Sequence, residues 1–191
     1  MSHELRSPIT ALAASVEVMQ SRRDDLSERN KQAFDIIASQ VRRFDRTVLD
    51  LLELSRLDAG AGKTQEEIVN LADLVKRVAQ RHGFADVPFA TTLNNDDETV
   101  LDKRRIERIV LNLLENARDH ANGATKVTLS SNGNTFTLAV HDAGPGVLVT
   151  ERGQVFDRFA RGTASRNSKG SGLGLAIVKE HARALQGSAH V

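Results

Sequence analysis

The sequence contains no cysteine, which excludes disulfide bonds and thiolate metal sites. It also lacks tryptophan and tyrosine, so an aromatic platform for stacking nucleic-acid bases is not expected. The net charge of +1 gives no reason to expect nucleic acid or an anionic membrane as the main partner. No apolar run approaches the roughly 20 residues of a membrane span. The 191 residues, 40% of them hydrophobic, are enough for one ordinary domain or two small ones.

Residues 1 to about 58 have the apolar pattern of two long helices joined by a polar turn. The first apolar seam comprises Leu5, Ile9, Leu12, Val16 and Met19. The second comprises Phe34, Ile37, Val41, Phe44, Val48 and Leu51. Alternating steps of three and four residues are typical of helices that pack along a heptad-type seam. One hairpin buries only one side of each seam, so we predict a homodimer that forms a four-helix bundle through residues 1–58.

The pattern changes after residues 59–68, a small and polar stretch that we interpret as a linker. Residues 69–191 are predicted to form a second domain. Helices are predicted over residues 71–82, 103–121 and 173–185, and strands over 126–130 and 135–141, with a hairpin turn at 131–134. Helices and antiparallel strands in this order favour a two-layer α/β sandwich, which makes the whole chain α+β.

The opening residues place a histidine beside a glutamate at the start of the first helix. Helical spacing puts His3, Ser7 and Thr10 on a face that points away from the seam. An exposed imidazole is neutral and nucleophilic near pH 7, and Glu4 could hold the proton of its second nitrogen. Pro8 lacks an N–H group and should loosen or kink the helix there. Taken alone, the stretch is also typical of a solvated helix start.

Two further stretches suit a nucleotide and its metal. Asn112 and Asn116 lie four residues apart, hence on one helix face, where amide oxygens suit Mg²⁺ on phosphates. Asp142 follows a strand and can accept from an exocyclic amine, while Gly144 and Gly146 let the backbone approach a flat ring. Each is also compatible with a bland interpretation: surface or capping asparagines, and a plain turn at the end of a strand.

The remaining two stretches are VFDRFARG, residues 155–162, and GSGLGLAIV, residues 170–178. In the first, Phe156 suits a loop anchor and Arg158 and Arg161 suit phosphate, although core packing with surface charge fits equally. In the second, glycines run into a helix whose N-terminal amides could cradle phosphate. It is neither a Walker A loop nor a dinucleotide fingerprint, because the lysine and the preceding strand are missing.

Together and in this order, the five stretches resemble the H, N, G1, F and G2 boxes of sensor histidine kinases. The resemblance spans nearly the whole chain, and HELRSP and GSGLGLAIV are its most specific parts. It implies that residues 1–58 are the dimerisation and histidine phosphotransfer domain. It also implies that residues 69–191 are the catalytic ATP-binding domain, with the Bergerat fold.

The resemblance also implies roles for individual residues. His3 would be the phospho-acceptor, activated by Glu4. Asn116 would hold Mg²⁺, and Asn112 would help at the phosphates or at the metal. Asp142 would recognise adenine. The other positions implied to shape the nucleotide site are His120, Gly144, Gly146, Phe156, Gly170, Gly172 and Gly174. Residues 147–169 would form the ATP lid, from which Arg158 would meet the γ-phosphate.

By the same resemblance, phosphate would pass from ATP to His3 and then to an aspartate of a response regulator, docked around His3 and the second helix. The chain would be the cytoplasmic part of a parent protein anchored in the bacterial membrane. Sensor segments would precede it, and one or two strands would follow residue 191.

Two departures from the family pattern bear on activity. Ser7 stands where threonine or asparagine is usual, so phosphatase activity towards the regulator is less certain, although serine keeps a hydroxyl. Asp119 stands where a basic residue is common and would repel phosphate unless Arg118 or His120 compensates. Two alternatives therefore remain: a dimerisation scaffold that binds ATP poorly, and an ATPase that hydrolyses ATP with Glu115 as base.

Overall fold

The computed structural model describes residues 2–60, 64–94, 97–133, 135–160 and 170–191, and for residues 2–6 it describes the backbone only. The chain divides into two compact units, Met1–Ala59 and Gly60–Val191. The fold of each unit is described separately below.

The first unit is a helical hairpin. Helix α1 spans Ser2–Gln20, a short 3-10 helix spans Arg23–Asp25, and helix α2 spans Glu28–Asp58. Helix α1 runs through Pro8 without interruption, so this proline does not end the helix. Its ring nitrogen carries no hydrogen, however, and the carbonyl of Glu4 therefore receives no bond from residue 8. Within the described residues, no helix of either unit has the length and apolar character that a membrane span requires.

The hairpin buries only part of its apolar seam. One cluster of its core contains Val16, Phe34 and Ala38, with Leu26 and Val41 packed against it. Ile9, Leu52 and Leu54 are also buried. Other seam residues stay between 41% and 57% exposed, namely Leu12, Met19, Ile37, Phe44 and Leu51. A large apolar stripe on a two-helix unit is thus left in contact with water.

A bidentate ion pair closes the turn of the hairpin. The Nε and Nη2 atoms of Arg23 donate to the two carboxylate oxygens of Asp35 at 2.8 and 2.6 Å. The hydrogen bond from Arg23, with the positive charges of Arg23 and Arg42, holds the pKa of the Asp35 carboxyl below its usual range. Ser27 occupies the N-cap position before α2, but its side chain makes no capping hydrogen bond.

Within the part of the chain that the structure describes, the second unit combines three helices with five strands, which confirms the predicted α/β architecture. Its elements are β1 Glu66–Asn70, α3 Leu71–Arg81, β2 Phe89–Thr91, β3 Glu98–Asp102, α4 Lys103–Ala121, β4 Ala124–Asn132, β5 Thr135–Asp142 and α5 Gly174–Ala184. β1 pairs antiparallel with β3, while β2 lies parallel to β4, and β4 lies antiparallel to β5. The predicted linker 59–68 is therefore too long, because Glu66 already pairs with Asp102.

Helix α4 is the central element of this unit because two layers pack on it. On one side Val110 and Leu114 join the main core, which is formed with α3 and the strands. On another side Ile109 packs against Val178 and Ala182 of α5. The apolar residues of α4 thus pack against two neighbours.

Both ends of α4 are fixed by local hydrogen bonds. The carboxylate of Asp102 accepts from the backbone N–H groups of Arg104 and Arg105 at 3.1 and 3.4 Å, which caps the helix. It also accepts from the N–H of Gln65 at 3.1 Å. At the other end Asn122 adopts a left-handed conformation with φ of 59°, and its N–H donates to the carbonyl of Ala117.

Candidate functional site

One face of α4 carries most of the polar side chains that the sequence predicts for the site. Asn112, Asn116 and His120 follow one another at intervals of four residues, which places them along one side of the helix. Asn112 is only 8% exposed, and its Nδ2 donates to the carbonyl of Arg108 at 2.8 Å. Because that bond uses the amide nitrogen, the Oδ1 atom is oriented towards the neighbouring element. Asn116 is half-buried and His120 is exposed.

The glycine-rich segment before α5 runs close to this face. A Cβ placed on Gly174 would lie 3.2 Å from Oδ1 of Asn112, and one on Gly170 would lie 3.4 Å from Nε2 of His120. Gly174 is the first residue of α5, so the positive end of that helix lies beside the Asn112 amide oxygen. Helix N-terminal amides next to a polar side chain form a cradle that fits phosphate.

A second glycine-rich turn meets the C-terminal end of α4. The N–H of Gly144 donates to Oδ1 of Asp142 at 2.8 Å, which fixes the orientation of that exposed carboxylate. A Cβ on Gly144 would lie 2.9 Å both from Cβ of Ala121 and from the same carboxylate oxygen. Gly146 has φ of +72°, a conformation that favours glycine. The structure therefore places the predicted adenine-site turn against α4, through a contact with Ala121 that the sequence did not indicate.

The predicted lid, residues 147–169, is described as far as residue 160, so Arg161 lies outside the described residues. The described end of the lid, residues 159–160, lies against Gly172 of the second glycine-rich segment. Gly172 has φ of +73°, and a Cβ there would lie 2.9 Å from the carbonyl oxygen of Ala160 and from the carbonyl carbon of Phe159. Lys179 of α5 also lies 3.8 Å from Asp157.

Two predicted lid residues occupy different surroundings. Phe156 is half-buried and lines a cavity of about 500 Å³ next to α5, together with Arg152, Lys179 and the C-terminal residues 187–191. Arg158 is exposed. The roles of both side chains at the nucleotide remain predictions.

The charge of Asp119 is countered by a neighbour. Nε of Arg118 lies 3.5 Å from Oδ1 of Asp119, and its Nη2 lies 3.3 Å from Oε1 of Glu115. The sequence left open whether Arg118 or His120 compensates for Asp119. The ion pair found in the structure is the one with Arg118.

The predicted phospho-acceptor lies in the first turn of α1. The side chains of His3 and Glu4 are outside the described part of the chain, so their predicted pairing stays a prediction. One turn further on, Ser7 and Thr10 are exposed whereas Ile9 is 6% exposed.

Known protein families match both units. The family of His Kinase A (phospho-acceptor) domains matches residues 1–60. The family of histidine kinase-, DNA gyrase B-, and HSP90-like ATPases matches residues 101–191. The sensor histidine kinase MtrB of Mycobacterium leprae is 35% identical over 195 residues, which cover 98% of this chain and 35% of MtrB. The chain belongs to the sensor histidine kinases. It spans about a third of the length of the curated histidine kinases that it matches.

Solved histidine kinases share the fold. The Acinetobacter baumannii histidine kinase AdeS superposes with a TM-score of 0.63 at 27% identity, over 95% of this chain and 86% of the AdeS chain. Full-length ShkA in complex with AMPPNP gives a TM-score of 0.71 at 24% identity, over 97% of this chain and 40% of ShkA. The second likeness is evidence for the fold. Both agree with a fold made of a helical unit followed by an α/β unit.

Proposed function

We propose that this chain is an autokinase core that uses Mg²⁺-ATP to phosphorylate His3. The observation that carries the proposal is the close approach of the α5 N-terminus to the amide face of α4, measured at Gly174 and Asn112. Family membership and the ATPase-type domain support the same conclusion. The AMPPNP complex of ShkA is a precedent for a nucleotide on this fold.

The nucleotide would lie between the two glycine-rich turns and α4. Asp142 would accept from the exocyclic amine of adenine, because the bond to Gly144 leaves acceptor capacity on its carboxylate. Asn112 and the amides at the start of α5 would face the phosphates. Arg158 would approach the γ-phosphate from the lid.

The residues present also fit a magnesium ion bound through ATP. Among the residues that the structure describes, no group of three or more histidine, cysteine, aspartate or glutamate side chains is arranged to hold a metal. An ion would therefore be held by the amide oxygen of Asn116 together with phosphate oxygens and water, as Mg²⁺ prefers. When bound, it would neutralise charge on the phosphates.

The transfer of the γ-phosphoryl group to His3 would form one bond and break one bond. A ring nitrogen of neutral His3 attacks the γ-phosphorus, an N–P bond forms, and the bond to the ADP oxygen breaks. The imidazole then loses its other proton, which Glu4 helps to hold. The phosphoryl group would next pass to an aspartate of a response regulator that docks beside His3 and α2. Ser7, one turn from His3, would be placed to orient water for dephosphorylation of that regulator.

We also propose that the hairpin forms a homodimer through residues 1–58 and that the parent protein is a membrane-anchored sensor with its kinase core in the cytoplasm. The exposed seam of α1 and α2 supports the dimer. The names of the curated relatives, which are sensor histidine kinases, support the sensor.

Autophosphorylation can be tested with γ-labelled ATP and Mg²⁺ on the wild type, on His3→Gln and on the control His82→Gln. His82 directly follows α3 as its C-cap residue and is exposed, so its loss should leave labelling unchanged. We expect acid-labile, alkali-stable label on the wild type and on His82→Gln and at least a hundredfold less on His3→Gln. Equal labelling of His3→Gln would refute His3 as the acceptor.

The same experiment separates the two alternatives. Release of phosphate with no labelled protein would indicate the ATPase alternative, although its candidate base, Glu115, is hydrogen-bonded to Arg118. A protein that takes up no label and binds no nucleotide would be the dimerisation scaffold.

A further inference from the structure

A carboxylate lies on the nucleotide face of α4. Asp119 follows Asn112 by seven residues and Asn116 by three, and both spacings keep it on the face of those two amides. Its side chain is 28% exposed and therefore not fully screened by water. A negative charge at this place would oppose a triphosphate, and the closer the phosphates lie, the larger the opposition.

Arg118 pairs with this carboxylate, and its guanidinium makes three contacts in all. The guanidinium pairs with Asp119 at 3.5 Å and with Glu115 at 3.3 Å. Its Cζ atom also lies 5.3 Å from the ring centre of Phe84. Phe84 is 7% exposed and belongs to the main core, so it offers a rigid surface for the guanidinium.

The contacts of Arg118 with Glu115 and Phe84 explain why its partly exposed ion pair with Asp119 can persist. Exposed pairs contribute little by themselves, because ordering two long side chains costs entropy. Arg118 already lies over an aromatic face, where a cation is attracted to the ring. Its fork can engage two carboxylates at once, which a lysine cannot do in the same geometry.

We propose that Arg118 is a positioning residue that sets the affinity for ATP by holding the Asp119 carboxylate and offsetting its charge. The inference rests on the proposed function, since it assumes that the α4 face binds the nucleotide. It assigns to Arg118 no contact with the phosphates, only an effect exerted through Asp119.

The test is a double-mutant cycle on nucleotide binding, measured by titration with a fluorescent ATP analogue in the presence of Mg²⁺ and without turnover. We expect Arg118→Ala to weaken binding about three- to tenfold, as the loss of one partly screened charge interaction implies. Adding Asp119→Asn to that variant should restore binding to within twofold of the wild type. The loss should also shrink as ionic strength rises.

Two controls test whether a loss of binding comes from the removal of any exposed ion pair or from misfolding. Arg77→Ala removes a comparable exposed pair on α3, where Arg77 lies 2.7 Å from Asp73, and should leave binding unchanged. Circular dichroism melting checks that each variant folds. Arg118→Gln keeps part of the stem over Phe84 without the charge, and it replaces Arg118→Ala in the cycle should the alanine variant not fold.

The outcomes are distinguishable. Absence of binding by the wild type would overturn the proposed function and the inference with it. Binding by the wild type with no loss in Arg118→Ala would overturn the inference alone. A loss that Asp119→Asn does not restore would also overturn it, because Arg118 would then act on the nucleotide or on the fold rather than through Asp119.

Discussion

At Gly172 the backbone passes so close to the end of the described lid that no side chain fits. A Cβ would lie 2.9 Å from two backbone atoms of residues 159 and 160, and backbone atoms cannot swing away as a flexible side chain can. The φ of +73° adds a second penalty for any residue other than glycine. Phe159 itself has φ of +61°, so the contact also holds a residue in a conformation that costs energy.

Gly172→Ala should therefore destabilise the second unit by about 1–3 kcal/mol, through backbone strain and displacement of residues 159–160. The matched control is Gly153→Ala, where a Cβ meets nothing within 4 Å and φ is not positive. Thermal melts should show a clear loss of Tm for Gly172→Ala and no loss for Gly153→Ala. Equal melting of the two variants would mean that the contact at Gly172 does not exist in solution.

Much of the candidate site could be predicted residue by residue, because its signals are local. The spacing of Asn112 and Asn116 and the glycines around Asp142 and Gly174 are visible in short stretches of sequence. The contacts between these stretches were not predictable. The packing of Ala121 on Gly144, and of the Arg118 guanidinium on Phe84, joins residues that only the tertiary fold brings together.

At the scale of elements, α4 was predicted with its observed bounds and α3 to within one residue, because both carry strong apolar periodicity. The three strands β1, β2 and β3 were missed. β2 contains only three residues, too few for alternation to be recognised, and β3 both begins and ends with an acidic residue. β1 also begins with two glutamates, so the stretch continued the polar character of the linker.

The stability of the hairpin turn should depend on pH, because of the Arg23–Asp35 pair. The pKa of Asp35 is lowered in the folded state, so the pair contributes stability above the ordinary aspartate pKa and loses it as pH falls through the lowered value. That window lies below about pH 4. Asp35→Asn should melt slightly lower than the wild type at pH 6, and the difference should vanish near pH 3.

The control for this prediction is Asp45→Asn on the same helix, a half-buried aspartate for which the structure shows no comparable bidentate partner among the described residues. Its melting temperature relative to the wild type should not change with pH in this way. A difference for Asp35→Asn that stays constant from pH 6 to pH 3 would contradict the lowered pKa.

At the scale of the whole molecule, the two units differ in how completely they bury their apolar residues. The second unit encloses a main core of twelve buried residues. The hairpin cluster of Val16, Phe34 and Ala38 is much smaller, and large apolar side chains around it remain in water. Burying that stripe against a second copy would stabilise the dimer by about 25 cal/mol for each Å² of apolar surface removed from water. The proposed homodimer would therefore bury the apolar residues that the hairpin alone exposes.

The dimer can be tested by one substitution made in two places. Ile37 lies on the exposed seam of α2 at 57% exposure, and Ile68 lies on β1 at 69% exposure. Lysine at position 37 would place a charge in the dimer core, where its desolvation has no compensating partner. We expect Ile37→Lys to weaken dimerisation at least tenfold, about 1.4 kcal/mol or more.

The readout is the mass in solution by light scattering over a range of concentrations, against a chain mass of 20.9 kDa. The wild type and Ile68→Lys should have twice that mass, and Ile37→Lys should move towards the single mass on dilution. Dissociation of both variants would indicate that added charge, rather than position on the seam, is responsible. A wild type that stays at the single mass would refute the dimer, and with it the explanation of why α1 and α2 expose their apolar stripe.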